Sequence, residues 1–339
     1  MNEIQFLELG NAYTPSSAAM SDGGRLLVWN SQWTGVWAQR YDSAGEAVGP
    51  IYQINADVNA GRYFYSEVTV LGDGQLVVTW LNDGDLYGRL LGADGSLVGG
   101  SFAIGDPNLV QTEPEVTGLA GGGFVVTWQT KNAVGGAYTD INAQIYDAAG
   151  VPVGDVLLVP EAVSHYEYMG DVLALADGGF VVTWRVEHGA WGTDADGGIA
   201  AQIFDSSGNR INGEFHVNSE TAGLQSQPQL TALSNGGFAA FWLTPGSEPF
   251  QFQQYAADGT TLGGETAVQV SDLPTGAGHN PVDWQVIELQ DGGFAMIWRQ
   301  SGTVDDMLYV QSFHEDGSPR SELVAVDPVG SRSDVFTID

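Results

Sequence analysis

A single phrase recurs six times along the chain and constrains its fold more than any other feature. Each copy is a glycine-containing turn followed by an apolar run that ends in tryptophan. The copies read DGGRLLVW to Trp29, DGQLVVTW to Trp80, GGGFVVTW to Trp128, DGGFVVTW to Trp184, NGGFAAFW to Trp242 and DGGFAMIW to Trp298. The tryptophans follow one another at intervals of 51, 48, 56, 58 and 56 residues. Self-similarity at this period is typical of architectures that repeat one supersecondary unit.

A second phrase follows the tryptophan and completes the repeat. It reads AQRYDSAGEAVG at 38–49, AQIYDAAGVPVG at 143–154 and AQIFDSSGNRING at 201–213. Each unit contains four short runs rich in Val, Phe, Tyr and Trp, which in the second unit are residues 66–71, 75–80, 86–91 and 101–104. Because Asp-Gly and Asn-Gly turns favour tight hairpins, each unit is predicted to be four antiparallel strands.

The second strand of each unit is apolar at nearly every position, as in residues 124–126 (FVV) and 180–182 (FVV). A strand with one solvated face would alternate between apolar and polar residues, so both faces of this strand are expected to be covered. Four-stranded repeats with doubly buried inner strands predict an all-β fold, a six-bladed β-propeller of four-stranded blades. The recurrent tryptophan is then a packing residue between blades.

The ends of the chain raise the question of closure. Strand-like segments stand at residues 4–8 and 334–339, and we expect a terminal strand to complete a blade from the opposite end of the sequence. The alternative is seven blades, of which the last is incomplete. Since no linker or change of composition divides the chain, residues 1–339 are predicted to form a single β-propeller domain.

Composition excludes several classes of function. Ten Lys and Arg stand against 42 Asp and Glu, which gives a formal net charge of −32. This charge argues against nucleic acid and anionic membrane surfaces as partners. There is no cysteine, so disulfides and cysteine–zinc sites are excluded. No apolar run approaches the roughly 20 residues of a membrane span, and the N-terminal residues lack the pattern of a signal peptide.

The combined pattern resembles a known repeat. The series LADGGFVVTW, AQIFDSSG, FHVN (residues 215–218) and QSQPQL (residues 225–230) is similar to the β-propeller-type repeat of large secreted bacterial RTX and adhesin-like proteins. This resemblance implies an extracellular or cell-surface location, type I secretion and a place within a larger secreted protein. The calcium-binding nonapeptide G-G-x-G-x-D of that family is absent here, so its calcium binding is not carried over to any residue.

Topology suggests where a site would lie. In an up-and-down blade the short, repeated turns lie at one end and the long, variable connections lie at the other, where function is expected. The candidate ligand-binding residues at this loop end are Trp33, Tyr63, Tyr65, Tyr166, Tyr168, His188 and Trp191. Since exposed rings stack on the apolar faces of sugars, the predicted function is a carbohydrate-binding, lectin-like module for a glycan or polysaccharide in adhesion or matrix attachment. Alternatively the rings fill long loops, and the domain is a structural spacer.

An enzyme is the competing class. His165, His188 and His279 share the loop end with Tyr168, and together they would supply the base and acid of a polysaccharide lyase. No GxSxG, HExxH or P-loop motif appears in the sequence. A binding module is therefore favoured over an enzyme.

A column of polar residues lies thirteen positions before each tryptophan. Its members are Ser16, Glu67, Glu115, Asp171, Gln229 and Gln285. Calcium prefers oxygen ligands, so Glu67, Glu115 and Asp171 are candidate ligands for Ca²⁺, unless each one merely caps its own strand. Residues 194–198 (DADGG) begin like a calcium loop, but Ile199 and Asp205 stand where that loop requires Gly and Glu, which favours a plain turn.

Overall fold

The computed structural model describes residues 12–31, 33–59, 61–131, 139–161, 166–187, 197–219, 223–244, 249–270, 280–289, 291–301 and 307–326. All regular secondary structure in these residues is β-strand. No helix in this part of the chain is long and apolar enough to cross a membrane.

The strands form six four-stranded sheets, each made of strands that follow one another in the chain. Blade 1 holds β1 (Ala12–Ala19), β2 (Arg25–Ser31), β3 (Gly35–Tyr41) and β4 (Ala47–Gln53); blade 2 holds β5 (Tyr63–Val70), β6 (Leu76–Asn82), β7 (Asp85–Leu91) and β8 (Leu97–Ile104); blade 3 holds β9 (Gln111–Gly118), β10 (Phe124–Lys131), β11 (Thr139–Tyr146) and β12 (Pro152–Leu158). Blade 4 holds β13 (Glu167–Ala174), β14 (Phe180–Val186), β15 (Gly198–Phe204) and β16 (Arg210–His216); blade 5 holds β17 (Ser226–Ala232), β18 (Phe238–Leu243), β19 (Phe250–Tyr255) and β20 (Thr261–Ala267); blade 6 holds β21 (Asn280–Glu288), β22 (Phe294–Ser301), β23 (Met307–Phe313) and β24 (Val324–Val326). The prediction of a six-bladed β-propeller with four-stranded blades is confirmed.

The closure expected at the ends of the chain stays a prediction. Each of the six sheets takes all four of its described strands from one stretch of chain, so no described blade borrows a strand from the opposite end. The terminal segments 4–8 and 334–339 lie outside the described residues. The chain divides into two compact units, Met1–Val163 with Phe204–Asn209 and Ser164–Ile203 with Arg210–Asp339. The single domain over residues 1–339 stays a prediction.

The second strand of each blade is buried on both faces, as its sequence predicts. All seven residues of β6 are buried, and Trp80 has no exposed surface. Trp80 shares a hydrophobic cluster with Val28 and Val36 of blade 1, and Trp242 shares one with Ile199 of blade 4. The recurrent tryptophan therefore packs against the preceding blade within each unit, and the packing role expected of it is confirmed.

The first strand of each blade contains a β-bulge. In β5 the register jumps between Phe64 and Glu67, so two residues stand opposite Trp80 alone. Corresponding shifts interrupt the other five first strands. Non-glycine residues with positive φ occupy three of these bulges, namely Tyr65 (49°), Glu113 (50°) and Gln227 (52°). Proline is tolerated in a strand at such bulges, which accounts for Pro15, Pro114 and Pro228.

The glutamine of the AQ phrase clamps the outer pair of strands. Gln144 is buried at a bulge between β11 and β12, and its side-chain amide donates to the carbonyls of Ile145 (3.0 Å) and Val153 (3.2 Å). Corresponding amides belong to Gln39, Gln202 and Gln253. In blade 2 Arg89 replaces glutamine and donates to the carbonyl of Gly99 over 2.7 Å. The phrase thus specifies strand pairing and leaves the loop end free to vary.

Candidate functional site

An exposed tryptophan and an arginine meet at the loop end of the first unit. Trp33 lies in the turn between β2 and β3, and 62% of its surface is exposed. Arg62 lies just before β5, and its guanidinium carbon is 4.8 Å from the centroid of the Trp33 ring. This distance is within the range of a cation–π contact, so the guanidinium and the indole are paired at the loop end.

A chain of backbone hydrogen bonds extends this surface across the loop end. The N–H of Asp83 donates to the carbonyl of Arg62 over 2.9 Å, and the Asp83 carboxylate accepts the N–H of Arg62 over 3.0 Å. The Lys131 N–H donates to the carbonyl of Val110 over 3.1 Å, and the Val110 side chain lies beside Gly84. We call this the platform surface and define it by residues Trp33, Arg62, Tyr65, Asp83, Val110, Glu113 and Lys131.

The bulges of β5 and β9 bring charged and aromatic groups to the platform surface. Tyr65 is 42% exposed, and burial of the rest of the side chain, together with the charge of Glu113, raises the pKa of its hydroxyl. Burial also raises the pKa of Glu113, although the charge of Lys131 opposes this change. Both shifts follow from burial at the bulges, and the charges of Glu113 and Lys131 modify them.

The second unit carries a separate cluster at its loop end. Tyr168 of β13 and Arg185 of β14 are cross-strand partners, and the guanidinium lies 4.4 Å from the ring centroid. The Tyr168 hydroxyl donates to Oε2 of Glu187 over 3.2 Å, and Arg185 pairs with Oε1 of Glu187 at 3.2 Å. Burial and the nearby Glu187 raise the pKa of Tyr168. A tyrosine, an arginine and a carboxylate are therefore linked in one half-buried network.

The aromatic residues predicted to bind a ligand differ in their exposure to solvent. Trp33 and Tyr65 are exposed, but Tyr63 is only 3% exposed and its hydroxyl donates to the carbonyl of Asn59. The expectation that Tyr63 offers its ring to a ligand is corrected, because the ring belongs to the core cluster between blades 1 and 2. Tyr166 is half-buried next to Tyr168. The other candidates, His165, His188, Trp191 and His279, lie outside the described residues.

The polar column of the first strands joins adjacent blades. Ser16 donates its hydroxyl to Oε2 of Glu67 over 3.0 Å. Asp171 accepts the N–H of Leu230 on Oδ2 and the N–H of Val172 on Oδ1, both at 2.8 Å. Burial raises the pKa of Asp171 to about 7. No group of three His, Cys, Asp or Glu that could hold a metal occurs among the described residues, and the Ca²⁺ assignment of Glu67, Glu115 and Asp171 stays a prediction.

Five charged residues of these clusters were not singled out from the sequence, namely Asp83, Glu113, Lys131, Arg185 and Glu187. The sequence does contain weak signals for them. Glu113 precedes a proline inside a predicted strand, and Lys131 is the one lysine of the chain. Arg185 directly follows a repeat tryptophan in β14 and is less buried than its neighbours.

Comparison with known proteins supports the fold. No protein-family profile and no curated protein matches the sequence. An ulvan lyase of a polysaccharide lyase family, solved with a bound saccharide of GlcA and Rha3S, is similar in structure with a TM-score of 0.58, 8% identity and coverage of 94% of this chain and 81% of that chain. An α-L-arabinofuranosidase of Fusarium graminearum has a TM-score of 0.55 and 11% identity and covers 90% and 93% of the two chains. A protein of unknown function from Dyadobacter fermentans has a TM-score of 0.50 and 11% identity, with 94% and 82% covered. At these identities the likeness concerns the fold alone.

Proposed function

We propose that the protein is a carbohydrate-binding module that holds a glycan on the platform surface. The observation that carries this proposal is the exposed indole of Trp33, fixed in place by the guanidinium of Arg62. A planar ring offers a large contact area at low entropic cost and matches the apolar C–H face of a pyranose or furanose. The Tyr65 hydroxyl, which belongs to a side chain exposed at the bulge of β5, suits a hydroxyl group of a bound saccharide.

Two further considerations support a glycan as the partner. The similar structures include proteins described as an ulvan lyase and an α-L-arabinofuranosidase, both of which act on saccharides. The repeat resembles that of secreted adhesin-like proteins, which suits an extracellular or cell-surface role in adhesion or matrix attachment within a larger protein. Calcium, if it binds the column of first-strand carboxylates, acts as a structural ion in this proposal.

The test is a glycan array followed by calorimetric titration of the best ligand, with and without calcium. Trp33→Ala is expected to weaken binding at least about tenfold, which corresponds to about 1.4 kcal/mol. Trp33→Phe retains a ring and should keep part of the affinity. Leu97→Ala removes an exposed apolar side chain from β8 and serves as the control. An array that stays blank in both conditions contradicts the proposal.

A second candidate is a polysaccharide-active enzyme of the lyase type, favoured by the Tyr168–Arg185–Glu187 network of the second unit. A tyrosine oriented by a carboxylate and an arginine could exchange a proton with a substrate held nearby. Incubation with uronate polysaccharides, followed by the absorbance of unsaturated uronates, tests this candidate. Activity that disappears in Tyr168→Phe supports it, and absence of any absorbance change excludes this reaction for the substrates tried.

A further inference from the structure

An open cleft lies at the turn end of blades 5 and 6, within the second compact unit. Its volume is about 720 Å³, which is within the range of about 300–1,000 Å³ found for small-molecule sites. Three connections border it, namely the β17–β18 turn, the β21–β22 turn and the β23–β24 connection. The side chains that line it are Ser234, Asp291, His314, Glu315 and Arg320. The cleft is therefore large enough for a ligand and is walled by polar and charged groups.

The repeat supplies an internal reference for this cleft, because the turn between the third and fourth strands occurs six times. Glu315 stands where the other five copies carry a small residue, and Arg320 stands where they carry an apolar one. The small residues are Ser43, Ala93, Ala148, Ser206 and Ala257, and the apolar ones are Val48, Val98, Val153, Ile211 and Leu262. The turn still makes the backbone hydrogen bond of the other copies, in which the Gly317 N–H donates to the carbonyl of His314 over 2.9 Å. The charged side chains are therefore not needed to form the turn.

The guanidinium of Arg320 is already paired with a carboxylate. Its Nη1 donates to Oδ1 of Asp291 over 2.8 Å, and its Nη2 donates to Oδ2 of the same residue. Nη1 also donates to the carbonyl of Gly292 over 2.9 Å. The charges of Arg320 and Asp291 therefore balance along one wall of the cleft, and the guanidinium is not available to an incoming anion.

Glu315 is held at the opposite contact, between the two blades. Its Oε1 accepts the N–H of Ser234 over 3.1 Å, and the side-chain amide of Gln254 donates to its carbonyl over 2.6 Å. Among the described residues nothing donates a hydrogen bond to Oε2 of Glu315, and the ring of His314 makes no hydrogen bond with this part of the chain. The cleft therefore presents one carboxylate oxygen and one imidazole that are free to bind a ligand.

We propose that this cleft is a second binding site and that it takes a primary ammonium group, carried by an amino sugar or by a lysine side chain. An ammonium has three N–H donors and no acceptor, so it matches Oε2 of Glu315, the Ser234 hydroxyl and a neutral imidazole at His314. The net charge of −32 also raises the concentration of cations near the surface. An anion would be repelled by Glu315 and would find Arg320 already paired. This site does not depend on glycan binding at the platform surface.

The experiment uses two pairs of probes that differ in charge, titrated into the full chain by ligand-observed NMR at about pH 7 and about 20 mM salt. One pair is glucosamine and N-acetylglucosamine, and the other is lysine and norleucine with blocked backbone termini. We expect the ammonium member of at least one pair to bind at least about tenfold tighter than its neutral partner, and that pair identifies the carrier. Equal binding within both pairs, or tighter binding of inorganic phosphate than of either amine, overturns the proposal.

Three variants locate the binding in the cleft. Glu315→Gln removes the charge but keeps an oxygen for the Ser234 N–H, so it should lower ammonium affinity at least about tenfold with an unchanged unfolding midpoint. His314→Ala, at an exposed position, should weaken binding at least about threefold. The control Glu46→Gln removes the same charge from the corresponding turn of blade 1 and should change affinity less than about twofold. Equal effects of Glu315→Gln and Glu46→Gln would overturn this site, and leave the glycan proposal to its own test with Trp33→Ala.

Discussion

The backbone N–H of Leu230 donates a hydrogen bond to Oδ2 of Asp171 over 2.8 Å and so joins the first strands of two adjacent blades. The same connection is made in the first unit, where the N–H of Val68 donates to the hydroxyl of Ser16 over 3.2 Å. Asp171 and Ser16 belong to one sequence column, and each binds the N–H that follows the column residue of the next blade. The column therefore contributes to blade–blade pairing.

The pH dependence of stability should reveal the burial of Asp171, which raises the pKa of its carboxyl although the hydrogen bonds from Leu230 and Val172 oppose the rise. Burial raises the pKa of Asp171 to about 7, against an ordinary value near 3.9 in an unfolded chain. The folded state thus holds the proton more tightly, so the stabilisation is complete below about pH 4 and is lost as pH rises through about 7. The contribution is of order 4 kcal/mol at most. Urea unfolding at pH 5 and pH 8 should show wild type losing more stability than Asp171→Asn, and equal losses would contradict this account.

Truncation to alanine should lower the free energy of unfolding strongly at Trp80 and hardly at Trp33. Trp80 is fully buried between blades, so Trp80→Ala should cost about 3–5 kcal/mol of unfolding free energy. Trp33→Ala should change stability by less than about 0.5 kcal/mol, because its ring is exposed. Since the Trp80 indole N–H has no hydrogen-bond partner, Trp80→Phe should be milder than Trp80→Ala. A large loss of stability in Trp33→Ala would show that the Trp33 ring is part of the packed fold and would contradict its assignment to the binding surface.

The side-chain hydrogen bonds of Gln144 between β11 and β12 should contribute measurably to the free energy of unfolding. Gln144→Ala leaves the carbonyls of Ile145 and Val153 without their donor in a buried setting, and should destabilise the protein by about 1–3 kcal/mol. Gln75→Ala removes a side chain that contacts Asp73 in an exposed turn and should cost little. Equal midpoints of urea unfolding for the two variants would show that the side-chain hydrogen bonds of Gln144 do not stabilise the blade.

The positive φ of Glu113 predicts that glycine is tolerated better at this bulge than glutamate. Glycine adopts positive φ without penalty, so Glu113→Gly should stabilise the fold by up to about 1 kcal/mol. Thr112→Gly, in the adjacent residue without positive φ, should instead destabilise by about 1 kcal/mol. Thermal unfolding of the two variants checks both effects, and a destabilised Glu113→Gly would show that its φ carries no strain.

The sequence predicts the framework of this protein because the framework is repeated. Each repeated element has its own role in packing or hydrogen bonding, and this role recurs in every blade that carries the element. The repeated elements are the six tryptophans, the Gly-rich turns and the AQ phrase. A single blade's copy can therefore be checked against the others. The strand count, the buried second strand and the loop end all follow from these repeats.

The site is harder to predict because it depends on departures from the repeat. Tyr63 and Tyr65 stand two residues apart, so simple alternation would place both side chains on the same face of β5. The bulge between Phe64 and Glu67 breaks that alternation, and Tyr63 is buried while Tyr65 is exposed. A contact between residues far apart in sequence, such as that of Trp33 with Arg62, arises from loop conformations that no local pattern specifies.

The most direct test of the account is a calorimetric titration of a neutral polysaccharide into wild type and Trp33→Ala, with unfolding midpoints measured on the same samples. We expect wild type to bind the polysaccharide, and Trp33→Ala to bind it at least about tenfold more weakly with an unchanged unfolding midpoint. Unaltered affinity in Trp33→Ala would contradict the central claim that the exposed indole beside Arg62 is where the glycan lies.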